Sequence, residues 1–276
     1  DLRKIVSTHL ERSSKKLDLQ LKQLKDTEKR DKYKVYGELL NTYGYQVTEG
    51  AKSVEVPNYY TGEMLTIPLD ETLSPLDNAK KYFARYNKLK RTFEALNTQT
   101  EETRTEMAHL QTIQAALAIA ESEDDLAQIR DELETYGYIR RKMNGKKKQK
   151  SKSKPFHYRS SDGFDIYVGK NNFQNDELTF KVANGNDWWF HAKGMPGSHV
   201  IVKTEGRELP DRTFEEAGRL AGYYSSGRDN EKIEIDYLQR KNVKKPNGAV
   251  AGYVIYYTNY SLTIHPDISG IEKISE

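Results

Sequence analysis

Cysteine is absent from the 276 residues, which excludes disulfide cross-links, thiolate metal ligands and a cysteine nucleophile. No apolar run approaches the roughly 20 residues that a membrane-spanning helix requires. No stretch reads as a secretory signal, so membrane insertion is not expected. The signatures of common catalysts are missing as well: there is no nucleophile elbow, no Walker loop and no dinucleotide fingerprint. His191 and His199 stand eight apart in different expected strands, with no neighbouring His or Cys to complete a metal site. They read as structural or RNA-contacting residues. No catalytic residue, metal or cofactor is expected, and the chain is not expected to be an enzyme.

Hydrophobic residues make up 36% of the sequence and charged residues 31%, a balance that suits a long solvated helical part beside a smaller core. The net charge of +3 conceals an uneven distribution. Residues 1–139 hold 20 basic against 24 acidic side chains, and residues 155–276 hold 15 against 17. The nine basic residues of 140–154 meet no acid, so the excess positive charge is confined to one short segment. The stretch NGKKKQKSKSKP (144–155), which overlaps it, lacks any hydrophobic side chain and cannot fold alone. Three regions follow: 1–142, a basic linker 143–154, and 155–276. The first residue is Asp1 rather than Met, which leads to the expectation that an N-terminal portion precedes this chain.

Residues 1–42 read as a helix whose seam is Val6, Leu10, Leu17, Leu21, Leu24 and Val35, interrupted by Ser13, Ser14, Glu28 and Asp31. Ala79, Tyr82, Tyr86, Leu89, Phe93, Leu96, Thr100, Thr103, Met107, Leu110, Gln114 and Leu117 keep an unbroken 3–4 alternation. Each helix is expected to be about 60 Å long. Between them SVEVPNYY and EMLTIPL alternate as strands do, around Thr61-Gly62. The expected fold is α+β. A long antiparallel coiled-coil hairpin carries a small β tip at about 45–70, and a compact mixed α+β domain follows. Ser74-Pro75 marks the start of the returning helix, and a shorter helix is expected over Ser122 to Tyr138.

After the linker, FHYRS and FDIYV read as a hairpin closed by Ser161-Asp162-Gly163, and NNFQNDELTFKVA as a helix. DWWFHA and SHVIVK read as strands around Gly194-Met195-Pro196-Gly197. Thr213 to Ser226 reads as a helix, KIEIDYL as a strand, and VAGYVIYYT with SLTIH as a closing hairpin. Ala217, Gly218, Ala221 and Gly222 form a small-residue face for close helix–sheet packing.

Chemical type nominates binding residues. The linker lysines, Lys146, Lys147 and Lys148 foremost, suit salt-sensitive phosphate contact. Lys241, Lys244 and Lys245 sit on a Pro-Asn-Gly turn that holds them on a fixed loop. Trp188 and Trp189 face opposite sides of one strand. One is core, and the other, beside His191 and Lys193, offers a stacking platform. Lys170, Asn171 and Asn172 with Pro196, Gly197 and Ser198 complete a composite surface of amide and cation donors around a Pro-Gly turn that admits a backbone closely. The competing reading of these residues is architectural, with Asn171 a helix cap and Gly197 a turn residue. The domain's tyrosines read mainly as core and sheet-face packing.

VGKNNFQNDELTFKVA, DWWFHAKGMPGSHVIV and VKKPNGAVAGYVIYY resemble the RNA-binding domain of the NFACT family. YGELL, VPNYY, IPLD and NAKKYFARYNKLK resemble its coiled-coil middle domain, and the resemblance spans nearly the whole chain. It implies a non-enzymatic, cytoplasmic factor of ribosome quality control that binds rRNA and tRNA. That factor recognises a 50S ribosomal subunit blocked by peptidyl-tRNA and recruits alanyl-tRNA for template-free alanine tailing. The family's N-terminal domain does not correspond to any part of these residues, and most tRNA contact is expected there. Bacterial members are also described as anchorless surface adhesins for fibronectin or fibrinogen, which is the alternative reading.

Overall fold

The computed structural model describes residues 1–141 and 151–275; the proposed phosphate contacts Lys146, Lys147 and Lys148 lie outside the described residues. The fold is α+β, with a long helical region and a sheet of antiparallel strands. Packing divides the chain into two compact units, Ser13–Thr105 on one hand and Asp1–Arg12 with Glu106–Glu276 on the other. Packing therefore groups residues differently from composition, which changes at the basic linker. No described helix is long and apolar enough to cross a membrane.

The first unit takes most of helix α1 (Leu2–Asp26), α2 (Arg30–Tyr43), strands β1 (Ser53–Pro57) and β2 (Met64–Pro68), and much of α3 (Pro75–Ile119). A 3-10 turn, Thr27–Lys29, separates α1 from α2. The buried face of α1 differs from the expected seam. Ser13, Gln20 and Thr27 are buried and alternate with half-buried Leu17 and Leu24, whereas Leu21 is exposed. The serine read as an interruption is a seam residue. Gln20 is accommodated because its Oε1 accepts from Thr103 Oγ at 2.9 Å. Further along, the Arg30 guanidinium lies 4.0 Å over the Phe93 ring, and Tyr33 stacks on Tyr82. β1 and β2 pair from Ser53↔Pro68 to Pro57↔Met64. Both prolines stand at strand ends, where a missing N–H is tolerated. Leu39, Leu40, Val56, Ile67 and Ala79 form the core beneath them.

In the other unit α3 changes its buried face. Ile113, Ala116 and Leu117 pack with Val6 and with Ile129 and Leu133 of α4 (Glu123–Thr135), and Gln114, expected in the ladder, is exposed. Ser122 caps α4 by accepting from the Asp125 N–H at 3.1 Å. The sheet contains β3 (Phe156–Arg159), β4 (Asp165–Val168), β5 (Trp188–Ala192), β6 (Val200–Val202), β7 (Ile233–Gln239), β8 (Tyr260–Ile264) and β9 (Glu272–Lys273). Its order is β8-β7-β5-β6-β4-β3-β9, every neighbouring pair antiparallel. Alternation along the strands separates two faces. Phe190, Ala192, Val200, Val202 and Ile235 face α6 (Asp211–Tyr223). There Gly218 and Gly222 leave no room for a β-carbon, which would lie 2.8 Å from Leu262 and 2.6 Å from Ile264.

Trp189, Ile201 and Leu238 form the opposite face. It is covered by the π-helical turn Leu178–Val182, which continues α5 (Asn172–Glu177), and by Val243, Val254 and Tyr256. The expected hairpin of VAGYVIYYT with SLTIH does not form. β8 pairs with β7 alone, and the 250–257 segment makes only the isolated bridge Ile255↔Lys244. Gly252 turns in the left-handed region at φ +81, and beyond it Val254 and Tyr256 pack on the sheet face.

Candidate nucleic-acid interface

Lys170, Asn171 and Asn172 begin α5 and bond inward. The Asn171 Oδ1 caps the helix by accepting from the Gln174 N–H at 3.0 Å, and its Nδ2 donates to Gln128 Oε1 at 2.7 Å. Asn172 Nδ2 donates to Thr112 Oγ at 2.8 Å and to Glu132 Oε1 at 2.6 Å. Lys170 Nζ reaches Asp125 Oδ1 at 3.2 Å. Burial pushes the Asp125 carboxyl up, but the Ser153 hydroxyl, the Glu121 N–H and the Lys170 ammonium outweigh it and hold the pKa below 3.8. These three side chains join α5 to α3 and α4. Both asparagines are buried, 2% and 5% exposed, so neither presents its amide to an incoming phosphate.

The two tryptophans do face opposite sides. Trp189 is core, 1% exposed. Trp188 is half-buried on the α6 face, edge-on to Phe214 at 4.9 Å and near Tyr237 and Tyr260. His191 shares the Trp189 face and stacks on that ring at 5.6 Å. Trp188 and His191 consequently belong to different surfaces. Burial lowers the His191 pKa below 6.5, against smaller opposing pulls from the Gly197 and Ala192 main chain and from Asp236. Lys193 is exposed, with its Nζ 2.9 Å from Glu234 Oε1, an ion pair that raises its pKa.

The Gly194–Ser198 turn packs against the end of α6. The Pro196 carbonyl accepts from the Ser226 N–H at 2.9 Å, and the buried Ser198 donates its N–H to the Tyr224 carbonyl at 2.9 Å. A β-carbon on Gly197 would stand 3.0 Å from Ser225 Cβ. The close approach that glycine permits here is made by the protein's own chain.

The lysine loop divides. Lys245 points inward, its Nζ bonded to both Asp176 carboxyl oxygens at 3.1 and 2.9 Å and to the Val250 carbonyl at 2.6 Å. Lys241 and Lys244 are exposed and have no ion pair among the described residues. The structure adds residues that composition did not single out: Tyr253 is 53% exposed and Tyr257 80%. Their neighbours Val254 and Tyr256 point inward, and Tyr256 donates to Asp236 Oδ2 at 2.7 Å. Alternation around these inward residues was the available signal.

His199 is the most buried histidine of this face. Its Nδ1 lies 2.8 Å from Thr179 Oγ and its Nε2 3.1 Å from the Gly252 carbonyl. Burial, with His191 close by, holds its pKa well below 6.5. Among the described residues no group of three or more His, Asp or Glu is placed to hold a metal ion.

Comparison with known proteins adds a family. Residues 1–152 match the family model described as NFACT N-terminal and middle domains, and residues 154–256 match that of the NFACT protein RNA binding domain. A Streptococcus suis protein named Rqc2 homolog RqcH is 40% identical over 275 residues, covering 99% of this chain and 49% of the relative. Its namesake from Bacillus subtilis is 35% identical over 280 residues, again covering 49% of its length. The chain thus spans about half the length of the curated relatives it matches. The solved C-terminal part of the fibronectin/fibrinogen-binding protein from Streptococcus suis superposes with a TM-score of 0.76 at 33% identity, covering 99% of this chain and 96% of the other.

Proposed function

The chain belongs to the NFACT family, and from that premise we propose that it is a non-catalytic, RNA-binding part of a cytoplasmic ribosome quality-control factor. The match of residues 154–256 to an RNA-binding domain carries the reading. Relatives named as homologues of a ribosome quality-control factor support it. The whole factor would engage a 50S subunit obstructed by peptidyl-tRNA and recruit alanyl-tRNA, while the ribosome performs peptidyl transfer. A chain that binds rRNA and tRNA in this way needs shape and cations and no catalytic constellation.

Gradient sedimentation of the full-length protein tests the proposal. It should travel with free 50S subunits, and the 276-residue chain should bind RNA with an affinity that falls steeply with salt. Protein that is found outside the cell and never with ribosomal subunits would instead fit the fibronectin/fibrinogen-binding role that the Streptococcus suis relative's name carries.

We propose further that α1–α2 and α3 form an intramolecular antiparallel coiled-coil hairpin. The Gln20–Thr103, Arg30–Phe93 and Tyr33–Tyr82 contacts support it, because rising numbers on one side meet falling numbers on the other. Cysteines introduced at Gln20 and Thr103 meet no natural thiol. Mild oxidation should join them as a disulfide within one chain, and a product of doubled mass would refute the arrangement.

A further inference from the structure

Residues 241–257 form a surface that the inward-facing motif residues do not explain. The Lys244 N–H donates to the Ile255 carbonyl at 2.9 Å and the Ile255 N–H to the Lys244 carbonyl at 2.8 Å. This reciprocal pair sets the two residues side by side with their side chains on one face. Val254 and Tyr256 pack inward, so alternation leaves Tyr253 and Tyr257 on the outer face, flanking the position opposite Lys244. At strand spacing, four residues would set the Cα atoms of Tyr253 and Tyr257 about 13 Å apart. Lys241 adds a second exposed cation without an ion pair among the described residues.

The segment is held in place although it is no strand. The Gly252 N–H donates to Asp176 Oδ1 at 2.8 Å, the Ala251 N–H to the Tyr136 hydroxyl at 2.7 Å, and Lys245 ties Asp176 to the Val250 carbonyl. Two bare aromatic rings and two unpaired cations on a fixed backbone are chemically suited to the bases and phosphates of an unpaired strand. A duplex hides its base faces. A protein partner would find little apolar area here beyond the two rings and Ile255.

We infer that Tyr253 and Tyr257, with Lys244 between them, form a stacking platform for single-stranded RNA. This inference rests on the RNA-binding reading above. The 276-residue chain is titrated into a labelled short single-stranded RNA and into a duplex of the same sequence, followed by fluorescence anisotropy. Tyr253→Ala and Tyr257→Ala should each weaken single-strand binding about tenfold, with much smaller loss for the duplex. The corresponding Phe variants should bind as the parent does. Lys244→Ala should flatten the dependence of log affinity on log salt by roughly 0.7.

Both tyrosines are exposed, so thermal unfolding should not move, and a shift would be detected in the same samples. If the parent chain binds RNA and the double Ala variant binds equally well, the platform is overturned while RNA binding stands. A parent chain that binds no RNA removes the RNA-binding reading itself. A double variant that binds RNA normally, but in the full-length protein no longer sediments with 50S subunits, assigns the surface to a protein partner and overturns the proposal.

Discussion

Asn172 was a candidate RNA contact by chemical type, and the structure places it at a buried junction of α3, α4 and α5. Its Nδ2 supplies one hydrogen bond to Thr112 and one to Glu132. Glu132 is fully buried, with Oε1 also 3.1 Å from His109 Nε2, and its Oε2 has no hydrogen-bond partner. Asn172→Ala therefore removes two bonds and leaves the carboxyl group with a single donor. A bond to a neutral hydroxyl contributes about 1 kcal/mol and one to a buried carboxyl group about 2 kcal/mol. The expected loss is about 3 kcal/mol, or a melting temperature lower by about 6–12 °C for a unit of this size. Asn172→Asp should be worse, since it sets a second carboxyl group against Glu132 where Asn172 now donates at 2.6 Å. Both tryptophans lie in the sheet, so tryptophan fluorescence reports on unfolding of this unit without contribution from Ser13–Thr105. RNA affinity, measured well below the lowered midpoint, should be unchanged. An unmoved fluorescence midpoint combined with weakened RNA binding would refute the reasoning and restore Asn172 to the binding surface.

Four further outcomes are expected. Gly252→Ala should lower the same midpoint by at least as much as Asn172→Ala, because φ is +81 and the added β-carbon would stand 2.3 Å from Asn172 Oδ1. Lys245→Ala should cost about 1–2 kcal/mol in urea unfolding through its bonds to Asp176 and Val250, whereas Lys244→Ala should cost under about 0.5 kcal/mol. Gln20→Leu should leave or raise thermal stability, since Thr103 keeps its bond to the Gln99 carbonyl at 2.9 Å; a lower melting temperature would mean that the polar layer is needed. Stability should fall as pH drops below 6.5, because the unfolded chain then protonates at position 199 while burial keeps the folded ring neutral. The slope from this one ring is at most about 1.4 kcal/mol per pH unit. His199→Gln should remove its share of the loss and leave the share of His191, whose pKa burial also lowers, together with the separate loss below pH 4, where Asp125 and Asp187 give up their depressed pKa values.

Much of the fold was legible because its signals are local. Alternating residues located β3 to β7, the Ser74-Pro75 pair located the start of α3, and small residues located the packing face of α6. The misreadings share a cause: they required knowing what lies opposite. Gln20 stands beside the expected seam residue Leu21, yet Gln20 is the buried one, because Thr103, eighty-three residues away, offers it a donor. Gln114 fits the 3–4 spacing and is exposed, because α3 turns a different face toward Val6 and α4. VAGYVIYYT alternates as a strand does and pairs at only one residue: it leaves the outer edge of β8 without a neighbouring strand among the described residues and packs Val254 and Tyr256 on the sheet face instead.

The candidate site was less legible for a reason that concerns partners rather than residue types. Lys244 and Lys245 are adjacent and chemically identical, yet Asp176 neutralises one and leaves the other exposed. Trp188 and Trp189 are equally able to stack a base, but Leu238 and Ile201 beside Trp189 make it core, while Phe214 and Tyr237 leave Trp188 half covered. A motif rich in amides and cations shows which bonds its side chains can form, and the fold determines how many of them are already made. In the Lys170–Asn172 motif they are made inside the protein. Among the described residues, a face that stays open to a ligand is the outer one of 241–257, where the same alternation that buries Val254 and Tyr256 exposes Tyr253 and Tyr257. Recognition in this domain therefore follows from packing: the inward half of the segment holds it against the sheet, and the outward half is thereby set in a fixed position to meet RNA.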